Sequence, residues 1–427
     1  MESALAEGIV KSLSVSRSRN EPLARLNTFS ERDWRQTLPW LDDSGLALYL
    51  LERVNRSSSP PALPAEIEAC LRWKLASNQE RVAAMKAEFG ALNRRFEEAG
   101  VEYAVLKGFA LIPEFCADAA LRSQYDYDYL VPPGSVSLAQ HTLQAAGYSQ
   151  KVKSPGREKQ GESLFVAQPL SLPSADENFY SAHLSRSVEL HLSLWESHRD
   201  MIDVEIPGDA LKRRRWANWD GLQFPVLAED DALLFQTLHA FAHIVDYWCR
   251  PSCFLEIAYS LARRHSDRAF WDQFRLRVGN HKNLAQIVGL VFSIAVELFE
   301  APIPAEVNTW LAETVPASLP LWVRQYGRRW ALARFPGSKL SLFVHREFID
   351  DRDAWREVLW GRLFPFHRPA RVVESVDSSL SSRWRTSWDH GRFVFSRLKH
   401  HLNALLGYSW ELPRWKRTAD RLQRGDY

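Results

Sequence analysis

Arg122-Ser123-Gln124-Tyr125-Asp126-Tyr127-Asp128-Tyr129-Leu130-Val131 is the stretch that decides how this chain reads. Its end, Tyr127 to Val131, alternates and turns apolar, as a β-strand does. Side chains of a strand alternate between faces, so Asp126 and Asp128 share one side. Two carboxylates that close repel unless a positive charge lies between them, and a divalent cation with oxygen ligands is the common solution. Upstream, an apolar strand from Val101 to Leu106 runs into Lys107-Gly108-Phe109. A glycine at such a strand-to-helix turn lets backbone N–H groups approach a phosphate. Downstream, Val188-Glu189-Leu190-His191-Leu192 alternates as a second strand and places Glu189 and His191 on one face.

Composition narrows the class. The chain has 427 residues, enough for two or three domains with sizeable cores. Its 46% hydrophobic and 25% charged content is that of a globular protein, and a net charge of +2 supplies no global field toward nucleic acid or membrane. The 17 tryptophans show no repeat period, so no repeat architecture is read from them. Four cysteines, Cys70, Cys116, Cys249 and Cys253, fit free thiols in a reducing compartment. The polar first residues carry no signal-peptide pattern, and no apolar run is long enough for a membrane span. A cytoplasmic location is the expectation.

Around the central stretch the pattern is helical. Residues 1 to about 30 read as a loosely ordered lead-in. Helical spacing follows from Trp34 to Val54 and from Ala65 to Ala99, with Gly100 placed as a C-terminal stop. A short helix is expected from Phe109 to Cys116 and another from Val136 to Ala146. Residues 154 to 178 read as loop with a strand near Leu164 to Val166, and Leu211 to Phe224 as a basic arm. Acids open a helix running from Ala232 to Val245. Further helices are expected at Phe254 to Arg264, Arg268 to Val278 and Leu284 to Phe299, with a proline-interrupted helical remainder. The expected fold class is α/β (α+β), a small mixed sheet with helical flanks. Boundaries are read as a helical N-terminal region over 1–99, a core over 100–225, a helical domain over 226–300 and a helical extension over 301–427.

Lys107-Gly108, Arg122, Asp126-x-Asp128 and Glu189-x-His191, in this order, resemble the uncharacterised bacterial nucleotidyltransferase family, a branch of the DNA polymerase β-like nucleotidyltransferase superfamily. The helix with Leu238-His239 and His243, then Leu255-Glu256-Ile257-Ala258, is similar to the helical segment after that family's core. The resemblance covers roughly residues 35 to 300. It implies Mg²⁺ (or Mn²⁺) held by Asp126, Asp128 and Glu189, which would also be the catalytic carboxylates. It implies a nucleoside triphosphate held by Lys107, Gly108 and Arg122, with His191 supporting the ligands from behind. The implied reaction is transfer of a nucleoside monophosphate to a hydroxyl acceptor (small molecule, peptide or protein) within a biosynthetic pathway, of the EC 2.7.7 kind. Phe109 departs from the small hydroxyl residue usual in the superfamily, and Tyr127 and Tyr129 are bulkier than its aliphatic residues. The alternative is a nucleotidyltransferase fold retained for binding or assembly.

Simpler readings stand beside these. Lys107 reads equally as a surface lysine, and Arg122 as a structural partner of Asp126 or Asp128. His239-x-x-x-His243 followed by Cys249-x-x-x-Cys253 invites a zinc reading, but the spacing fits no common zinc module and packed core residues are preferred. Basic and aromatic residues interleave from Arg383 to Arg424. A solvated helical surface is preferred there over a nucleic-acid site.

Overall fold

The computed structural model describes residues 4–16, 21–151, 162–167, 180–182, 186–195, 201–246, 249–279, 281–333, 338–364 and 380–424. Most of the loop expected over 154–178 lies outside them.

Among the described residues, seven strands form one mixed sheet: β1 (Ala104–Val105), β2 (Asp126–Leu130), β3 (Tyr148–Gln150), β4 (Glu162–Ala167), β5 (Ser187–His191), β6 (Arg215–Trp219) and β7 (Leu222–Val226). The order is β3-β4-β5-β2-β1-β7-β6. β2 runs parallel to β5 and antiparallel to β1, and β1 runs parallel to β7.

Strand alternation gives the sheet two distinct faces. On one, Val105, Tyr127, Tyr129, Val188, Leu190 and Phe224 join a core with Met85, Phe89 and Phe96 of the Ala65–Ala99 helix. On the other, Ala104, Leu106 and Leu130 belong to the core shared with the helical parts of the chain. Asp126, Asp128, Glu189 and His191 have the parity of that second face. The long helix ends where its sequence says it should. Gly100 has φ +73°, and the Val101 N–H bonds back to the Phe96 carbonyl.

The crowding suggested by three bulky rings is absent, because all three pack on the opposite face. Phe109 stacks on Trp219 with ring centroids 4.4 Å apart and meets Phe89 edge-on. The Tyr127 hydroxyl donates to Glu88 at 2.8 Å, and Tyr129 packs among Phe89, Phe96 and Tyr103.

Other expectations are corrected. The strand over 101–106 reduces to Ala104–Val105, and the helix over 109–116 to a single 3₁₀ turn, Gly108–Leu111, with Pro113 just beyond it. The N-terminal lead-in contains a helix, Ala4–Ser12, whose Leu5, Ile9 and Val10 are buried in the helical core. The basic arm is a β-hairpin. Asp220 and Gly221 both have positive φ at its two-residue turn, the geometry for which Asp-Gly is favoured. The arm's basic residues are held by acids. Arg213 pairs with Asp230 and Asp231, and Arg214 with Glu102. Of the prolines expected to interrupt the C-terminal part, Pro316 separates the helices Ala305–Thr314 and Ser318–Trp322, Pro320 lies inside the second of them, and Pro336, Pro365 and Pro369 lie outside the described residues.

Candidate active site

The carboxylates are brought together by register. Asp126 lies opposite Ser187 and Asp128 opposite Glu189, because β2 and β5 run parallel without a bulge. Asp128, Glu189 and His191 each offer a ligand atom, and the three atoms lie within 4.8 Å of one another. His191 Nε2 is 2.9 Å from Asp128 Oδ1 and 3.7 Å from Glu189 Oε2. Asp126 is outside that trio but within its field, since Asp126 and Asp128 influence each other's ionisation.

Lys107 is no surface lysine. Its ammonium is 2.7 Å from Asp128 Oδ1, with only 11% of the side chain exposed. The turn that delivers it needs glycine at 108. Gly108 has φ +64°, and a Cβ there would meet the Gln124 amide at 3.1 Å. Behind the turn, Gln236 Nε2 donates to the Leu106 carbonyl, tying this strand end to the Glu229–Val245 helix.

The four charges set one another's ionisation. Burial works to raise the Asp128 pKa, but Lys107 and His191 outweigh it and hold the carboxyl below its usual range. Burial likewise works against the Lys107 charge. Asp128, Asp126 and Glu189 outweigh it and keep the ammonium firmly protonated. Asp126 is raised, first by burial and then by Asp128. Glu189 is pushed up to about 7 by burial and by the two aspartates. One carboxylate is thus fixed as an anion while its register partner titrates near neutrality.

Arg122 is placed otherwise than the sequence suggested. Its Nε donates to Glu256 Oε1 at 3.0 Å, and the Tyr49 hydroxyl donates to the same oxygen at 3.0 Å. This ion pair ties it to the Pro251–Arg264 helix, while Asp126 contributes to its field. The loop that carries it is clamped by the long helix. Asn78 Nδ2 donates to the Ala120 and Arg122 carbonyls, and Arg81 Nε to the Gln124 carbonyl. Arg250 adds a further cation, donating to Ser123 and lowering the Asp126 pKa against the effect of burial. Sequence reasoning missed Asn78, Arg81, Arg250 and the pairing role of Glu256. These lie far from the Asp-x-Asp strand along the chain and have no spacing signal.

The donor set fits a hard divalent cation. Asp128 Oδ2 is buried and has no hydrogen-bond partner among the described residues. A buried carboxylate oxygen in that state is costly unless something positive completes it. The carboxylates of Asp128 and Glu189 are oxygen donors that Mg²⁺ or Mn²⁺ accepts. Gln124 Nε2, against the Gly108 turn, is likewise buried with no hydrogen-bond partner among the described residues, and is a donor suited to a phosphate oxygen. Among the described residues, no helix is long and apolar enough to cross a membrane.

A family model described as an uncharacterised nucleotidyltransferase matches residues 30–300. Neither a curated protein nor a solved structure matches the chain.

Proposed function

Because this chain belongs to the uncharacterised nucleotidyltransferase family, we propose that it transfers a nucleoside monophosphate from a nucleoside triphosphate to a hydroxyl acceptor. The observation that carries the reading is the convergence of Asp128, Glu189 and His191, with Asp128 Oδ2 left without a hydrogen-bond partner among the described residues.

Asp128 and Glu189 would hold Mg²⁺ or Mn²⁺, with Asp126 completing the set. The bound cation would orient the triphosphate and neutralise charge on the leaving pyrophosphate. Gly108 lets the backbone of the turn approach the phosphates. Lys107 and Arg122 supply positive charge beside it. In the reaction the acceptor oxygen bonds to the α-phosphorus, the bond to the bridging oxygen breaks, and pyrophosphate departs with the electron pair. The acceptor hydroxyl gives up its proton. Glu189, opposite Asp128 on the neighbouring strand, is the carboxylate placed to receive it. His191 orients Asp128 through its Nε2 contact. The acceptor is a small molecule, a peptide intermediate or a protein side chain, and a biosynthetic role follows from family analogy alone.

Incubation with each labelled nucleoside triphosphate and Mg²⁺ tests the reading. Pyrophosphate release is expected from the wild type and should be lost in Asp126→Ala/Asp128→Ala. Release that persists in the double variant would remove the proposed site.

One observation favours a second reading, a binding or assembly protein on the same fold. The Lys107 ammonium, 2.7 Å from Asp128 Oδ1, is itself a counter-charge for that carboxylate. Nucleotide binding with no pyrophosphate release under any acceptor condition would favour that reading.

A further inference from the structure

A second group of metal-ligating side chains lies apart from the carboxylates. His239 and His243 are one turn apart on the Glu229–Val245 helix, with ring centroids 4.8 Å apart and planes nearly perpendicular. Cys253 enters from the first turn of the Pro251–Arg264 helix and is buried. One ligand atom from each of the three lies within 4.8 Å of the others. Donors around a tetrahedral zinc ion stand about 3.3–3.6 Å apart, given bond lengths of roughly 2.0–2.3 Å. The set therefore stands within roughly 1.5 Å of those separations. Two histidines at i and i+4 on one helix are a recurrent way of presenting two imidazoles to one ion.

We propose that His239, His243 and Cys253 bind a zinc-class divalent ion. A thiolate with two imidazoles selects such an ion over Mg²⁺ or Ca²⁺, which take oxygen donors. The site is therefore chemically distinct from the Asp128 centre. Cys249 is buried and in electrostatic contact with Cys253 but is not one of the three donors. Among the described residues the group thus supplies three ligands, and three leave a coordination position to water or to a substrate oxygen, the plan of an open site rather than of a closed structural one. The charges of Lys107 and Arg122 both act on Cys253, so the group lies within electrostatic reach of the candidate active site. Binding replaces the Cys253 S–H bond with a sulfur–metal bond, and the proton leaves to solvent.

Metal analysis of the untagged full-length protein tests this without reference to catalysis. After incubation with Zn²⁺ and desalting, the wild type is expected to retain about one zinc per chain, as one site requires. Asp128→Ala should retain it, and His239→Ala/His243→Ala and Cys253→Ser should each lose most of it. In the Co²⁺-loaded wild type a thiolate-to-cobalt charge-transfer band should appear. That band needs no variant and so answers the question even if a substitution prevents folding. Absence of zinc and of the band from the wild type overturns the proposal. Equal zinc in wild type and a His239→Ala/His243→Ala/Cys253→Ser variant also overturns it, and so does zinc lost on Asp128→Ala, which would place the ion at the carboxylates.

Discussion

Lys107 and Asp128 form a buried ion pair, Nζ to Oδ1 at 2.7 Å, between the glycine turn and the carboxylate strand. The pair joins the two halves of the candidate site. Removing one partner leaves the other charge buried. Lys107→Met should destabilise the protein by about 3–5 kcal/mol, and Lys107→Met/Asp128→Asn by clearly less. Urea unfolding of the two variants measures the difference. Equal losses would mean that the pair is not coupled.

Glu189 makes metal affinity depend on pH. Its pKa is raised from an ordinary 4.5 to about 7, so the folded site holds a proton that the cation must displace. Affinity for Mn²⁺, followed by its paramagnetic signal, should climb as pH rises through about 7 and level off above it. The metal-free protein should behave oppositely. A raised carboxyl pKa stabilises the fold below about 4.5 and is a loss once pH exceeds about 7, so metal-free stability should fall across that window. Glu189→Gln should flatten both dependences.

Gly108 is required twice over, by its φ of +64° and by the Gln124 amide 3.1 Å from where a Cβ would stand. Gly108→Ala should cost roughly 1–3 kcal/mol from the backbone and the displaced amide together. Because the displacement occurs at the phosphate turn, the KM for nucleoside triphosphate should rise more than kcat falls. Steady-state kinetics and thermal melts separate the two effects. An unchanged KM would detach the turn from the nucleotide.

Tyr127 lies between the two aspartates in sequence but on the other face of the sheet. Its hydroxyl donates to Glu88 and to the Met85 carbonyl. Tyr127→Phe should lower stability by about 1–2 kcal/mol and leave pyrophosphate release within about twofold of wild type, a shift in barrier under roughly 0.5 kcal/mol. A large loss of activity with an unchanged melt would mean that the ring faces the nucleotide after all.

Arg122 is held by Glu256, which also accepts from Tyr49. Glu256→Gln keeps the shape and removes the charge, leaving the buried guanidinium without its anion. A stability loss of about 1–3 kcal/mol is expected. If Arg122 serves the triphosphate, the KM for nucleotide should change with it. Stability lost with kinetics untouched would assign Arg122 to structure alone.

The Asp126–Asp128 strand, the Gly108 turn and the Glu189–His191 strand are local patterns with a period of two or a single special backbone angle. The sequence by itself therefore determined the sheet core and the candidate carboxylates. The same period already decided that Tyr127 and Tyr129 face away from the aspartates, and Asp220-Gly221 already carried the hairpin signal. Weighing residue size ahead of strand parity, and a basic run ahead of turn chemistry, hid both. Only the tertiary structure decided what the charges do. Asp128 lies opposite Glu189 through pairing of distant strands. Lys107 neutralises Asp128, and Arg122 turns to Glu256 on a helix more than a hundred residues on. Cys253 meets His239 and His243 while Cys249 stays outside that set. Burial and partner choice depend on which elements pack together, and no local spacing encodes that.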